Sequence, residues 1–92
     1  MIRIKYEVFG KVQGVFFRKY TKKEADKLGI SGWVMNTDKG TVVGVAEGTK
    51  ETISQFQSFL RETGSPKSRI DRCQCDKLDV EKSSFKSFEI RR

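Results

Sequence analysis

The sequence predicts an α+β fold in which two helices cover one face of an antiparallel sheet. Residues 2–8 alternate between apolar and charged side chains, which is the period of a half-buried strand. Two later segments, 17–28 and 49–63, carry apolar residues at spacings of three and four, which is the period of a helix buried on one face. Segments that favour strands separate and follow these helices, so the order is strand, helix, strand, strand, helix, strand.

A glycine-containing loop connects the first strand to the first helix. Gly10 and Gly14 break the alternation, so the chain is predicted to leave the sheet near Gln13. The helix that follows ends at Gly29, a residue type that commonly terminates helices. Its apolar stripe consists of Phe17, Tyr20, Thr21, Ala25 and Leu28.

A β-hairpin is predicted next. Residues 31–36 contain the β-favouring Trp33 and Val34, and residues 41–46 read Thr-Val-Val-Gly-Val-Ala. The polar stretch 36–40 between these two segments is typical of a turn.

The second helix and two further strands complete the prediction. Thr49 is the predicted N-cap, Glu51 suits the first turn, and Gly64 ends the helix. Residues 70–80 predict a longer strand, and the tail predicts a short last one. The apolar positions are Ile53, Phe56, Phe59 and Leu60 in the helix and Phe88 and Ile90 in the tail. This order is that of the ferredoxin-like split βαβ sandwich, which hosts RNA binders, metal chaperones and enzymes alike.

The composition indicates one small, basic domain. Residues 1–92 are expected to form a single domain, because two cores in so short a chain would each be too small. The net charge of +7 favours anionic partners, such as nucleic acid, anionic lipid or phosphorylated small molecules. The first six residues alternate instead of forming an apolar run, so we expect neither a signal peptide nor a membrane span. The expectation is a cytoplasmic protein that is a monomer.

The two cysteines predict no metal site. Cys73 and Cys75 are separated by one residue, which on a strand places both on the same face. A structural zinc site usually has four Cys or His ligands, whereas this chain has two Cys and no His. We interpret both as reduced, half-buried strand residues.

The segment Gln13-Gly14-Val15-Phe16-Phe17-Arg18 has the character of an anion-binding loop. It runs from the end of a strand into the start of a helix, where several backbone N–H groups have no intrahelical acceptor. No Ser, Thr, Asp or Asn stands between Gly10 and Arg18 to cap them. A phosphate would bind these amides and the positive end of the helix dipole, and the glycines would let the backbone bend around it.

Arg18 and Asn36 are the candidate side chains beside this loop. The planar guanidinium of Arg18 matches two phosphate oxygens at once, which a lysine does not. Each residue also has an ordinary interpretation: Arg18 as one more solvated cation, and Asn36 as a turn residue that binds its own backbone. The same holds for Lys11, Lys19, Lys22 and Lys23, which either form a solvated face or steer an anionic substrate.

Two multi-residue motifs resemble those of the acylphosphatase family. The run Val8-Phe9-Gly10-Lys11-Val12-Gln13-Gly14-Val15-Phe16-Phe17-Arg18 is similar to the first signature of that family. The run Gly32-Trp33-Val34-Met35-Asn36, followed by Gly40, Val42 and Gly48, is similar to the second. The resemblance spans nearly the whole chain, because its length and element order also suit the family.

The resemblance implies hydrolysis of acyl phosphates to a carboxylate and inorganic phosphate. It implies that Arg18 binds the phosphate together with the amides of Gln13, Gly14, Val15, Phe16 and Phe17, and that Asn36 orients the attacking water. The absence of histidine from the sequence excludes a His base or a phosphohistidine intermediate. We expect direct attack of water at phosphorus, with no cofactor. We also expect no metal, because the acidic residues are scattered and Asp38 alone in the hairpin is not a metal site.

Two other functions are compatible with this fold, and the sequence favours neither. An RNA-binding module on the same fold would carry aromatic rings on the strand that stacks bases, whereas residues 39–46 contain none. A metal-binding domain would use Cys73 and Cys75, but Cys-x-Cys lacks the common C-x-x-C loop spacing. The expected partner is a small acyl phosphate, with neither nucleic acid nor membrane.

Overall fold

The computed structural model describes residues 1–91, which form one five-stranded sheet and two α-helices. The strands are arranged in the order β4-β1-β3-β2-β5, and every neighbouring pair is antiparallel except the parallel pair of β2 and β5. The elements are β1 (Ile2–Lys11), α1 (Phe17–Leu28), β2 (Ser31–Asn36), β3 (Val42–Gly48), α2 (Lys50–Ser58), β4 (Arg69–Asp79) and β5 (Phe88–Arg91).

The predicted sandwich is confirmed, although the sheet is mixed and not wholly antiparallel as predicted, because β5 pairs in parallel with β2. The core lies between the helices and one face of the sheet. The alternate residues Ile4, Tyr6 and Val8 of β1 are buried, as the alternation predicts. The ring of Phe56 on α2 lies 5.8 Å from that of Tyr6 and 5.9 Å from that of Phe88, measured between centroids. These edge-to-face contacts join the second helix to β1 and β5.

The second helix ends differently from the prediction. The sequence predicts one helix up to Gly64, whereas α2 stops at Ser58 and the chain continues as a π-helical turn, Phe59–Thr63. This wider turn keeps Phe59 and Leu60 buried. Gly64 ends it, donating its N–H to the carbonyl of Phe59.

β1 extends three residues beyond the predicted boundary. Its pairing with β4 continues past a bulge between Phe9 and Gly10, out to Lys11. Gly10 has φ of 132°, and a Cβ there would lie 2.1 Å from the carbonyl oxygen of Arg69. A glycine is therefore required at position 10 because β4 approaches closely, and not because the chain bends around an anion.

A buried carboxylate joins the far end of the sheet to the loop before β5. The side chain of Glu47 on β3 has no exposed surface and accepts from Nε of Arg3 at 2.5 Å. Its other oxygen accepts from the backbone N–H of Ser84 at 2.8 Å. Glu47 is thus fully paired, as a buried charge must be. No helix within residues 1–91 is long and apolar enough to cross a membrane.

Candidate active site

The loop between β1 and α1 turns in the left-handed region of backbone space. Gly14 has φ of 73° and Phe16, directly before the helix, has φ of 60° and ψ of 25°. Glycine adopts this conformation freely, whereas Phe16 is the only non-glycine residue with positive φ within residues 1–91. The two turns bring the chain from the strand into the first turn of α1.

The start of α1 exposes backbone donors that have no acceptor in the described part of the chain. No side chain caps the helix at Phe16, and the amides of residues 14–19 donate to no carbonyl or side chain of residues 1–91. The first turn of α1 also contains no acidic residue. These donors and the positive end of the helix dipole therefore favour a bound anion.

Arg18 lies in that first helical turn, half-buried beside the loop. Its Nη1 donates to the carbonyl oxygen of Arg91 on β5 at 3.4 Å, a long bond. The ion pairs formed within residues 1–91 join other residues, so no described carboxylate neutralises this guanidinium. Most of its donor capacity is available to a ligand.

Asn36 is the last residue of β2, paired with Val42 across the hairpin. Its Oδ1 is buried, yet it has no hydrogen-bond partner among residues 1–91. Leaving such an acceptor unpaired costs about 1–3 kcal/mol, which is typical of groups kept for a ligand or a water.

A cavity of about 380 Å³ brings these groups together. Five of the residues predicted to form the site line this cavity: Gly14, Phe16, Phe17, Arg18 and Asn36. Arg18 and Asn36 are 18 residues apart in sequence, and they line the same cavity because α1 packs against β2. The cavity therefore combines free amides, one guanidinium and one free amide oxygen.

The other two predicted residues, Gln13 and Val15, do not line the cavity. The side chain of Gln13 donates from Nε2 to the carbonyls of Thr37 at 2.8 Å and Thr41 at 2.9 Å. It therefore connects the loop to the hairpin that follows Asn36. Val15 is buried in the hydrophobic core.

Three further residues complete the wall: Val12, Lys19 and Ile90. Sequence reasoning placed Lys19 only within the diffuse positive charge, and it assigned Val12 and Ile90 no part in the site beyond their motif or strand. Ile90 is 54 residues from Asn36, and nothing in its own segment indicates a site. Pairing of β5 with β2 brings it there.

A second hydrogen-bonded group lies behind the hairpin. The hydroxyls of Thr37 and Thr41 are 2.7 Å apart, and Thr41 donates to Oε2 of Glu7 at 2.6 Å. Together with Gln13, these bonds fix the backbone on both sides of the cavity.

The cysteines lie outside this site. Cys73 and Cys75 are half-buried on β4, with their sulfur atoms 3.7 Å apart. The hydrogen bond with Cys73 lowers the pKa of the Cys75 thiol to about 6, against the effect of burial and with help from Gln57, Arg61 and Lys77. The same bond and burial raise the pKa of Cys73. Within residues 1–91, no three His, Cys, Asp or Glu side chains are grouped so as to hold a metal ion.

Comparison with known proteins shows the family to which the chain belongs. The family model described as Acylphosphatase matches residues 4–90. The chain is 50% identical over 90 residues to Acylphosphatase-1 of Xenopus tropicalis, covering 97% of this chain and 92% of that protein. It is 49% identical over 89 residues to Acylphosphatase-2 of Bos taurus, covering 96% and 90%. Among solved structures, an acylphosphatase from Bacillus subtilis is similar over 100% of both chains, with a TM-score of 0.93 and 33% identity.

Proposed function

This chain belongs to the acylphosphatase family and hydrolyses acyl phosphates, and we propose that Arg18 holds the substrate phosphate while Asn36 positions the attacking water. The observation that carries this proposal is the buried, unpartnered Oδ1 of Asn36 in the same cavity as the guanidinium of Arg18. An acceptor without a partner suits a water, whereas a cation and free amides suit a phosphate.

The phosphate group would sit against the start of α1. Arg18 donates two parallel N–H bonds to two phosphate oxygens, and the amides of the loop residues bind the remaining charge. The amides of Gln13 and Val15 belong to this proposed set, although their side chains face elsewhere. Negative charge that develops on the phosphoryl oxygens is stabilised by the same donors.

Water attacks phosphorus in line with the departing carboxylate. The water donates one hydrogen bond to Oδ1 of Asn36, which aims its lone pair at phosphorus. A carboxylate is a good leaving group, so position and electrostatics suffice and no strong general base is required. Its departure breaks the P–O bond of the mixed anhydride, and the products are the carboxylate and inorganic phosphate.

The proposal is tested with a chromogenic acyl phosphate such as benzoyl phosphate, in the presence of EDTA. Arg18→Ala removes two charge-assisted bonds, worth about 3 kcal/mol, so kcat/KM falls roughly 100-fold or more. Arg18→Lys keeps the charge but not the fork, and it recovers only part of the loss. Lys27→Ala, at the far end of α1, is the matched control for charge removal and keeps wild-type turnover.

Two results would overturn the roles assigned here. Wild-type turnover that disappears in EDTA would require a metal. An Arg18→Ala variant that is folded and still turns over at the wild-type rate would show that the phosphate binds elsewhere.

We also propose that the protein is a cytoplasmic monomer without a nucleic-acid partner. The high surface charge and the net charge of +7 support the monomer, because like charges oppose self-association. Light scattering across a concentration series checks the mass. Fractionation of cells checks the compartment, and titration with labelled single-stranded RNA at physiological salt is expected to show no saturable binding.

A further inference from the structure

We propose that Phe16 is the specificity-determining residue of the cavity, binding the acyl group of the substrate and selecting acyl phosphates with an aromatic or extended apolar acyl group. The inference rests on the proposed function, because it assumes that the phosphate lies at Arg18 and Asn36. It assigns a role to the part of the cavity wall that phosphate chemistry does not use.

Two adjacent phenylalanines occupy opposite environments. Phe17 is 1% exposed in the core, whereas Phe16 is 73% exposed at the cavity. Within residues 1–91, the other large apolar residues that are exposed are Met1 and Leu78, and neither lines this cavity. An exposed aromatic ring at the mouth of a ligand cavity is available for contact with a substrate.

The backbone of Phe16 has an unfavourable conformation at the position where its ring meets the cavity. At φ of 60° and ψ of 25° a bulky side chain is unfavourable, and glycine or asparagine would fit without that cost. The left-handed turn directs the ring of Phe16 away from the stripe that buries Phe17. Strained positions of this kind cluster at ligand-binding sites.

The cavity has room and suitable surface for an acyl group. Its volume of about 380 Å³ lies in the range of sites for small organic molecules, and a phosphate with five heavy atoms fills only part of it. The polar groups lie at Arg18 and Asn36, whereas Phe16 and the half-buried Ile90 provide apolar surface. A substrate with its phosphate at the first pair extends its acyl group toward the second set.

One face of the Phe16 ring has a distant contact with a cation, and the high exposure of the residue leaves the other face accessible. Nζ of Lys19 lies 5.9 Å from the centroid of the ring. A planar acyl group stacked on the same ring would gain an aromatic contact, whereas an acetyl group is too small to cover it.

The experiment compares kcat/KM for benzoyl phosphate and acetyl phosphate in wild type, Phe16→Gly, Phe16→Ala and Phe16→Leu. Loss of the ring in the Gly and Ala variants lowers the benzoyl-to-acetyl ratio roughly five- to tenfold, the range of a lost aromatic contact. Phe16→Leu keeps apolar surface and restores part of the ratio. Phe16→Gly relieves the backbone strain, so its Tm is at least that of wild type and unfolding does not explain the loss.

A wrong role for Phe16 and a wrong placement of the phosphate would give different results. If the ratio is unchanged in Phe16→Gly and Phe16→Ala, or if both substrates lose activity equally, Phe16 does not select the acyl group and the inference is overturned. If Arg18→Ala retains activity on both substrates, the placement of the phosphate is overturned and the inference with it.

Discussion

At the scale of single residues, the site depends on groups whose bonding is incomplete within the protein. Arg18 makes one long bond to a carbonyl, and Oδ1 of Asn36 makes none among residues 1–91. The neighbouring Gln13 differs, since its amide nitrogen already donates twice to the hairpin. Arg18 and Asn36 therefore have bonding capacity left for a ligand, whereas Gln13 holds the loop in place.

Replacing Asn36 with alanine should not lower stability and should mainly reduce kcat. The buried Oδ1 has no partner among residues 1–91 to lose, and its unpaired burial itself costs about 1–3 kcal/mol, so the free energy of unfolding stays the same or rises by up to about that amount. Inorganic phosphate still inhibits as a product with a similar inhibition constant, because its proposed ligands are Arg18 and the amides. Chemical denaturation and product inhibition measure the two effects, and a folded variant that no longer binds phosphate would reverse the role assignment.

The Cys75 thiol should be the more reactive of the two. Its pKa is lowered to about 6, so it is mostly thiolate at neutral pH, whereas Cys73 stays protonated. Alkylation of Cys75 by iodoacetamide, followed by mass spectrometry, should rise with a midpoint near pH 6 instead of the ordinary value of about 8.5. Cys73→Ala removes the hydrogen bond and moves the midpoint upward.

Equal labelling of both thiols with ordinary midpoints would contradict this assignment. A Cys75→Ser variant should hydrolyse substrate as the wild type does, because neither thiol lines the cavity.

At the scale of elements, the loop before α1 and the hairpin between β2 and β3 are held together by Gln13. Its side chain reaches the carbonyls of Thr37 and Thr41, whose hydroxyls continue the contact to Glu7. The loop supplies the phosphate donors, and the hairpin begins at Asn36. The spacing between phosphate and water thus depends on this connection.

Gln13→Ala should therefore cost both stability and turnover. Two neutral hydrogen bonds to half-buried carbonyls are lost, which destabilises the fold by about 1–3 kcal/mol. With the loop and hairpin free to separate, kcat falls more than KM rises. Urea denaturation and steady-state kinetics measure these changes, with Gln55→Ala on the exposed face of α2 as the control. Unchanged stability would show that the two hydrogen bonds of Gln13 make no net contribution to the free energy of unfolding.

At the scale of the whole molecule, sheet pairing decides which distant residues share the site. The parallel pair of β2 and β5 brings Ile90 beside the cavity and the carbonyl of Arg91 within reach of Arg18. At the opposite end of β3, Glu47 binds Arg3 and the N–H of Ser84. This second connection holds the segment that leads into β5.

Glu47→Gln should lower the stability of the fold without a matching change in kcat. Burial raises the pKa of this carboxyl, but the bonds from Ser84, Arg3 and Ser83 outweigh it, so its pKa is lowered in the fold. A carboxyl whose pKa is lowered by folding stabilises the protein at pH values above its unfolded pKa. This contribution is lost as the pH falls through the pKa of the folded state. The variant should be less stable by about 1–3 kcal/mol at neutral pH, and its stability should vary less with pH in acid.

Thermal unfolding measured from neutral to acid pH tests this prediction. Glu51→Gln, an exposed carboxyl in the first turn of α2, is the matched control. If both variants lose stability equally with pH, the buried pairing of Glu47 is not responsible for the acid dependence.

The sequence by itself determined most of the architecture. Alternation at Ile4, Tyr6 and Val8, the helical stripe from Phe17 onward and the glycine at position 29 are local signals, and the structure confirms the elements they predict. The two motifs also identified the family, and they predicted that Arg18 and Asn36 act in the same site. These inferences succeed because side-chain period and turn chemistry are encoded within a few residues.

Only the tertiary structure decided which groups face the cavity. No local pattern distinguishes Gln13, which binds the hairpin, from Phe16, which stays at the cavity mouth in a strained turn. Likewise, nothing near Glu47 or Ile90 in the sequence shows that one is buried in an ion pair and the other completes the cavity wall. These properties arise from contacts between segments 24 or more residues apart, or from strain that the surrounding fold imposes, and so they exist only once the sheet has been assembled.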